Sequence, residues 1–126
     1  MRFSSPFSDL SFPSILSLLS LFALGKQLHA SKNSLRAAGA TAFGKMLKTN
    51  KTLTLLDLSD NEFGGWTEKA TSLFGSDKIH STPEGPAALA DGLKANFTVQ
   101  QFHAKSNHLR ADGAKAISEM LKVNKT

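Results

Sequence analysis

Residues 33–52 read NSLRAAGATAFGKMLKTNKT, and residues 107–126 read NHLRADGAKAISEMLKVNKT. Gly39, Asn50 and Thr52 of the first copy stand at the same offsets as Gly113, Asn124 and Thr126 of the second. A degenerate third copy lies between them. A fixed period of this length marks an array in which each unit buries its apolar face against its neighbours. A repeated surface of that kind points to a binding module more than to a catalyst.

The period is legible to the residue. Asn33 and Asn61 are 28 positions apart, whereas Asn61 and Asn107 are 46 apart. The helix markers show the opposite order, with 46 positions from Gly39 to Gly85 and 28 from Gly85 to Gly113. An insertion of 18 residues therefore falls between Asn61 and Gly85, inside the second unit. Ahead of each Asn stands a short apolar alternation: Leu28 and Ala30, Leu56 and Leu58, Phe102 and Ala104. Leu53 and Val99 add an anchor three residues earlier, a place that Gly25 fills in the first unit.

Leu53, Leu56, Leu58, Asn61 and Phe63 resemble the leucine-rich repeat L-x-x-L-x-L-x-x-N-x-L. The 28-residue period and the G-A-x-A-Φ-x-x-x-L half are similar to the ribonuclease-inhibitor subclass, also found in the sensor regions of NOD-like receptors and in Ran GTPase-activating proteins. The resemblance covers about residues 25–126, less the insertion. It implies an α/β fold, a short right-handed solenoid with parallel strands lining the concave face and helices on the convex face. It implies no particular partner.

Elementary patterning agrees. Period-two alternation over 27–31, 55–59 and 101–105 predicts three short strands with one buried face. The Asn after each strand is placed to bond backbone groups of the neighbouring turn, forming a ladder where the chain bends away. Helical spacing follows in Ala40, Phe43 and Leu47, in Leu89 and Leu93, and in Ala114, Ile117 and Leu121. Thr82-Pro83-Glu84 reads as a helix start with Thr82 as N-cap, and Pro86 is tolerable among the first amides.

The chain of 126 residues, 40% hydrophobic, suits one domain, and three units are about the minimum for a stable array. The expectation is marginal stability in isolation, or a piece of a longer repeat array; a cooperative melt above roughly 60 °C would count against it. There is no Cys, which excludes disulfides, thiolate zinc sites and thiol catalysis. The net charge of +5 recurs at matching positions near helix ends, where cations complement the helix dipole and stay solvated. No aromatic stacking platform accompanies those charges, which speaks against nucleic acid as partner.

Residues 1–24 differ in composition. A Ser-, Pro- and Phe-rich start leads into the apolar run 15–24, too short to span a membrane. It reads either as an apolar cap on the first unit or as a signal-like leader. The first places the chain in the cytoplasm; the second would make it secreted. Asn50-Lys51-Thr52, Asn96-Phe97-Thr98 and Asn124-Lys125-Thr126 match the glycosylation sequon, but the repeat itself accounts for them.

The alternation nominates a binding surface. With Leu56 and Leu58 turned inward, Leu55, Asp57 and Ser59 face outward, beside Gln27, His29 and Ser31 in the first unit and Gln101, His103 and Lys105 in the third. Parallel neighbours about 4.8 Å apart would set His29, Asp57 and His103 in a lateral row. That row could tune partner affinity near neutral pH, hold zinc, or simply be a wet strand face, the plainest of the three. No metal or cofactor is assigned; the partner expected is a protein. The insertion near 65–82 is the other candidate. Trp66, Ala70 and Leu73 carry the spacing of a short amphipathic helix ended by Gly75, and Trp66 could anchor a partner or fold down onto a neighbouring unit.

Enzymatic readings find little. Ser59, Asp60 and the histidines lack a nucleophile elbow, and Gly64-Gly65 lacks the Lys-Ser/Thr of a phosphate loop. A GTPase-activating or regulatory fragment of a larger leucine-rich-repeat protein is the sharpest alternative, yet no catalytic side chain can be assigned to it. Arg36 and Arg110 recur at equivalent helix starts, as repeat consensus would have them.

Overall fold

A computed structural model describes residues 26–124. Three strand–loop–helix units follow one another: β1 (Gln27–His29) with α1 (Arg36–Thr49), β2 (Leu55–Asp57) with α2 (Glu84–Ala95), and β5 (Gln101–His103) with α3 (Arg110–Val123). An antiparallel hairpin, β3 (Gly65–Glu68) and β4 (Lys78–Ser81), interrupts the second unit. The expected cap or leader at 1–24 lies outside the described residues.

The three unit strands form a parallel sheet in the order β1-β2-β5, as expected for an α/β chain of repeated crossovers. Each strand is three residues long, shorter than the five-residue alternations that predicted it. The inter-strand bonding nevertheless continues past the strand ends, through Ala30 N–H to Asp57 O, Lys32 N–H to Ser59 O, Leu58 N–H to His103 O and Asp60 N–H to Lys105 O. Leu28, Ala30, Leu56 and Leu58 point to one side and join Phe43, Leu47, Leu89 and Leu93 in a single buried cluster.

Asparagine replaces a fourth strand contact. The Asn33 N–H donates to Asn61 Oδ1 (2.9 Å), and the Asn61 N–H donates to Asn107 Oδ1 (2.8 Å). Each carboxamide also donates back into its own bend, Asn61 Nδ2 to Leu58 O and Asn107 Nδ2 to Ala104 O. A second ladder runs behind the helices, where Asn96 Nδ2 reaches Leu47 O and Asn50 O, and Asn124 Nδ2 reaches Leu93 O and Asn96 O. Asn50 and Asn96 are buried, so these sequon carboxamides are structural.

Three expectations need correction. The inserted segment is a β-hairpin with an exposed loop, not a helix, and Gly75 lies within the loop. Its start explains why: Gly65 takes φ +139°, and a Cβ there would run into the His80 carbonyl, so strand pairing holds the backbone too close for a side chain. Thr82 is not the cap of α2; that position is Pro83, and the Thr82 hydroxyl donates to Phe63 O (2.9 Å). In α3, Ala114 and Leu121 are exposed instead of buried, and Met120 takes the inward place. No described element packs on the outer side of α3, so its stripe is only half covered.

Candidate functional site

Register fixes the outward face. Gln27 pairs with Leu55 and Leu55 with Gln101; His29 pairs with Asp57 and Asp57 with His103. Because Leu28 and Leu56 are buried at the intervening positions, the paired neighbours lie on the opposite side of the sheet. Leu55, Asp57, His29 and Ser59 are half-buried, whereas Gln27, Gln101, His103 and Lys105 are exposed. The expected row is therefore continuous across three units.

Its centre is acidic and its flanks are imidazoles. His29 Nδ1 stands 3.9 Å from Asp57 Oδ2. Partial burial pushes the Asp57 carboxyl upward, but the N–H and hydroxyl of Ser59 and the fields of His103 and His29 outweigh it, leaving the pKa below the ordinary carboxylate value. The Ser59 N–H donates to Asp57 Oδ1 (3.1 Å), and Ser59 Oγ accepts from the Lys105 N–H (3.2 Å), so the carboxylate is tied to the third unit through one hydroxyl. A depressed folded pKa contributes stability that is present above the unfolded value and fades as pH falls through the folded one. Asp57→Asn should accordingly flatten the acid limb of a stability profile as pH falls through and below the ordinary carboxylate range, read from urea midpoints; an unchanged limb would show the carboxylate to be energetically idle. Among the described residues no group of three His, Asp or Glu is arranged to hold a metal ion.

Trp66 sits elsewhere, at the root of the hairpin. Its ring stacks on His80 (centroids 4.5 Å apart, planes 8° off parallel), and the Arg36 guanidinium lies 4.0 Å over the ring. Arg36 Nε is held by Glu62 (3.1 Å), and His80 Nε2 by Glu68 (3.0 Å). Such a cation–π contact is worth about 0.5–1 kcal/mol at a partly exposed site. The folded-down alternative thus describes its packing: the stack fastens the hairpin to the first unit and leaves Trp66 half-buried. The projecting apolar residues are Leu73 and Phe74, 98% and 101% exposed in the loop. Sequence reasoning placed Leu73 on a helix stripe because its spacing from Trp66 fits a helical period; a Gly-, Ser- and Thr-rich flank was the only sign of a loop.

No protein-family profile matches the chain. It is 32% identical over 97 residues to leucine-rich repeat-containing protein 45 of Gallus gallus, covering 77% of this chain and 12% of that protein. Among solved structures it resembles leiomodin-1 actin-binding site 2, with a TM-score of 0.66, 20% identity, and coverage of 98% of this chain and 64% of that one. The chain thus spans only a small part of the first protein and somewhat under two thirds of the second. The structural likeness, at that identity, speaks for the fold. The sequence match supports a leucine-rich-repeat protein.

Proposed function

We propose that this leucine-rich-repeat chain is a protein–protein interaction module of the ribonuclease-inhibitor-like type, its units stacked as a short right-handed solenoid over residues 25–126. In this reading the strand face is concave and receives the partner on Gln27, His29, Leu55, Asp57, Ser59, Gln101, His103 and Lys105, with Trp66 at the hairpin root as a further contact. The supporting observation is the register that sets His29, Asp57 and His103 side by side while Leu28 and Leu56 between them are buried in the core and Phe102 packs against it. Such a surface can vary its outward side chains without disturbing packing, because the two sets alternate. The described residues single out no group for a GTPase-activating role, and the names of both similar proteins are those of repeat or binding proteins. Among the described residues no helix is long and apolar enough to cross a membrane.

The similar structure is an actin-binding site of leiomodin-1, which makes actin the first partner to test. Binding of the purified chain to monomeric and filamentous actin, and to partners captured by cross-linking, should fall at least about tenfold in His29→Ala/His103→Ala, equivalent to about 1.4 kcal/mol. The variant should melt as the parent does, both imidazoles lying outside the core. An unchanged affinity would remove the strand face from the interface.

A further inference from the structure

Among the described residues the excess positive charge sits on one rim, where each helix turns towards the next strand. The asparagine bonds behind the helices hold these turns side by side. Lys48, Lys94 and Lys122 lie in the last turns of α1, α2 and α3. Lys51 follows in the first connection, and Lys26 stands beside Thr54, whose N–H and hydroxyl donate to its carbonyl. All five are exposed. None makes an ion pair; those of the described residues involve Asp57, Glu62, Glu68 and Asp77. Stretches 48–54, 94–100 and 122–126 contain no Asp or Glu, and the nearest acids, Asp91 and Glu119, lie one helical turn back. Elsewhere in 26–124 eight bases meet nine acids, so the surplus belongs to this rim. The negative ends of three helix dipoles offset only about half a charge each.

Apolar surface stands among these lysines. Phe97 is 61% exposed in the middle unit, at the place that Lys51 and Lys125 hold in the others, so the repeat does not account for it. Lys51 Nζ lies 4.2 Å over its ring. Val123 is 59% exposed, and its equivalents Thr49 and Ala95 are exposed although further units follow them. We propose that this rim docks on a bilayer rich in anionic lipid, its ammonium groups at the headgroups and the Phe97 ring just beneath them. The residue types select that partner. The cations are all lysine, a hydrated point charge that needs no fixed geometry, whereas carboxylates or phosphates at set positions favour the arginine fork. A single phenylalanine gives nucleic acid no stacking platform, but an apolar ring flanked by lysines is what the headgroup boundary accepts. With helices about 8–10 Å apart, Lys48, Lys94 and Lys122 spread over roughly 20 Å, a span that a broad charged surface meets all at once. Each lysine adds a small, additive attraction, so docking is reversible and salt-sensitive.

The full chain should co-sediment with phosphatidylcholine vesicles holding about one third phosphatidylserine, and not with phosphatidylcholine alone. Lys48→Gln/Lys94→Gln/Lys122→Gln should weaken this partitioning on the order of a hundredfold at low salt, a difference that narrows as salt rises. Phe97→Ser should weaken it about tenfold at any salt, because the lost contact is apolar. Lys32→Gln/Lys78→Gln/Lys115→Gln removes as many charges from other faces and should bind nearly as the parent does. Every substituted position is exposed, so all variants should melt with the parent. A parent that ignores anionic vesicles at low salt overturns the proposal. So does a control variant that loses as much as the rim variant, which would make net charge and not this rim the cause. Parent binding to polyglutamate as tight as to vesicles, with Phe97→Ser without effect on either, would assign the rim to acidic protein instead and overturn it too. No protein partner enters these readouts, so they stand apart from the strand-face reading.

Discussion

Asn61→Ala is expected to destabilise the chain by on the order of 3 kcal/mol, a large part of what a small domain possesses. Asn61 is fully buried and central to the front ladder. Its Oδ1 is the acceptor for the Asn33 N–H, and its Nδ2 reaches Ala30 O, Leu58 O and Ser59 O. Truncation would not orphan every partner. Ala30 O keeps the Asn33 carboxamide, Leu58 O keeps the Asn107 carboxamide, and Ser59 O keeps the Lys32 N–H. The Asn33 N–H, however, would lose the Asn61 carboxamide oxygen to which it donates in a buried bend, and a void would open beside it. Urea unfolding should show the loss, and hydrogen exchange should show the Ala30 and Lys32 amides opening first. Asn61→Asp sharpens the test. The introduced carboxyl would face three carbonyl oxygens, which disfavours its charged form and raises its pKa. A raised folded value contributes stability below the unfolded pKa that is lost as pH rises, so this variant should strengthen in mild acid. A loss under about 1 kcal/mol for Asn61→Ala, with no pH dependence for Asn61→Asp, would mean that the ladder does not hold the units in register.

How far the amino-acid sequence foretold this structure depends on which residues carried a pattern. Leu56, Leu58, Phe43, Leu47 and the three front asparagines repeat at fixed offsets, so their burial and mutual spacing were legible. The loops between strand and helix were not. Lys32, Ser34, Arg36, Asp60, Glu62, Ser106, His108 and Arg110 all take positive φ, although none is a glycine. They alternate around each ladder asparagine at matching offsets, so the loop geometry is repeated without the residue type that usually announces it. The ladder bonds overdetermine that backbone: the Arg36 N–H donates to Asn61 O, and the Gly64 N–H at the equivalent position donates to Asn107 O. The insertion misled for the opposite reason. Trp66, Ala70 and Leu73 fit a helical period by chance, while the determinants of the hairpin are cross-strand: Trp66 opposite His80 and Thr67 opposite Ile79. Nothing local records such pairs. The outward row was legible as placement, since alternation and register suffice for that; the link from Asp57 through the Ser59 hydroxyl to Lys105 was not.

Gly92→Met offers the sharpest conflict between pattern and packing. Position 92 corresponds to Met46 in the first unit and Met120 in the third, so repeat consensus would put methionine there. Consensus substitutions commonly stabilise, and removing a helix-interior glycine should by itself gain about 1 kcal/mol. The expected result is nevertheless a loss of about 3 kcal/mol. Here α1 and α2 approach through their glycines. A Cβ at Gly92 would run into the Gly44 carbonyl oxygen and sit 2.8 Å from Gly44 Cα; a Cβ at Gly44 would run into the Ala88 carbonyl oxygen. Both obstacles are backbone, which no rotamer change can move aside. The helices would have to separate, opening the layer that Phe43, Leu47, Leu89 and Leu93 fill. The next pair, α2 and α3, is built differently: Gly44 is matched by Ala90 and Gly92 by Met120, so side chains set that spacing. The milder Gly44→Ala and Gly92→Ala should each destabilise, and their double variant should lose less than the two losses added, because helices already separated by one methyl admit the second. Thermal melts of the four proteins decide it. A stabilised Gly92→Met would show that the first two helices sit no closer than consensus spacing allows.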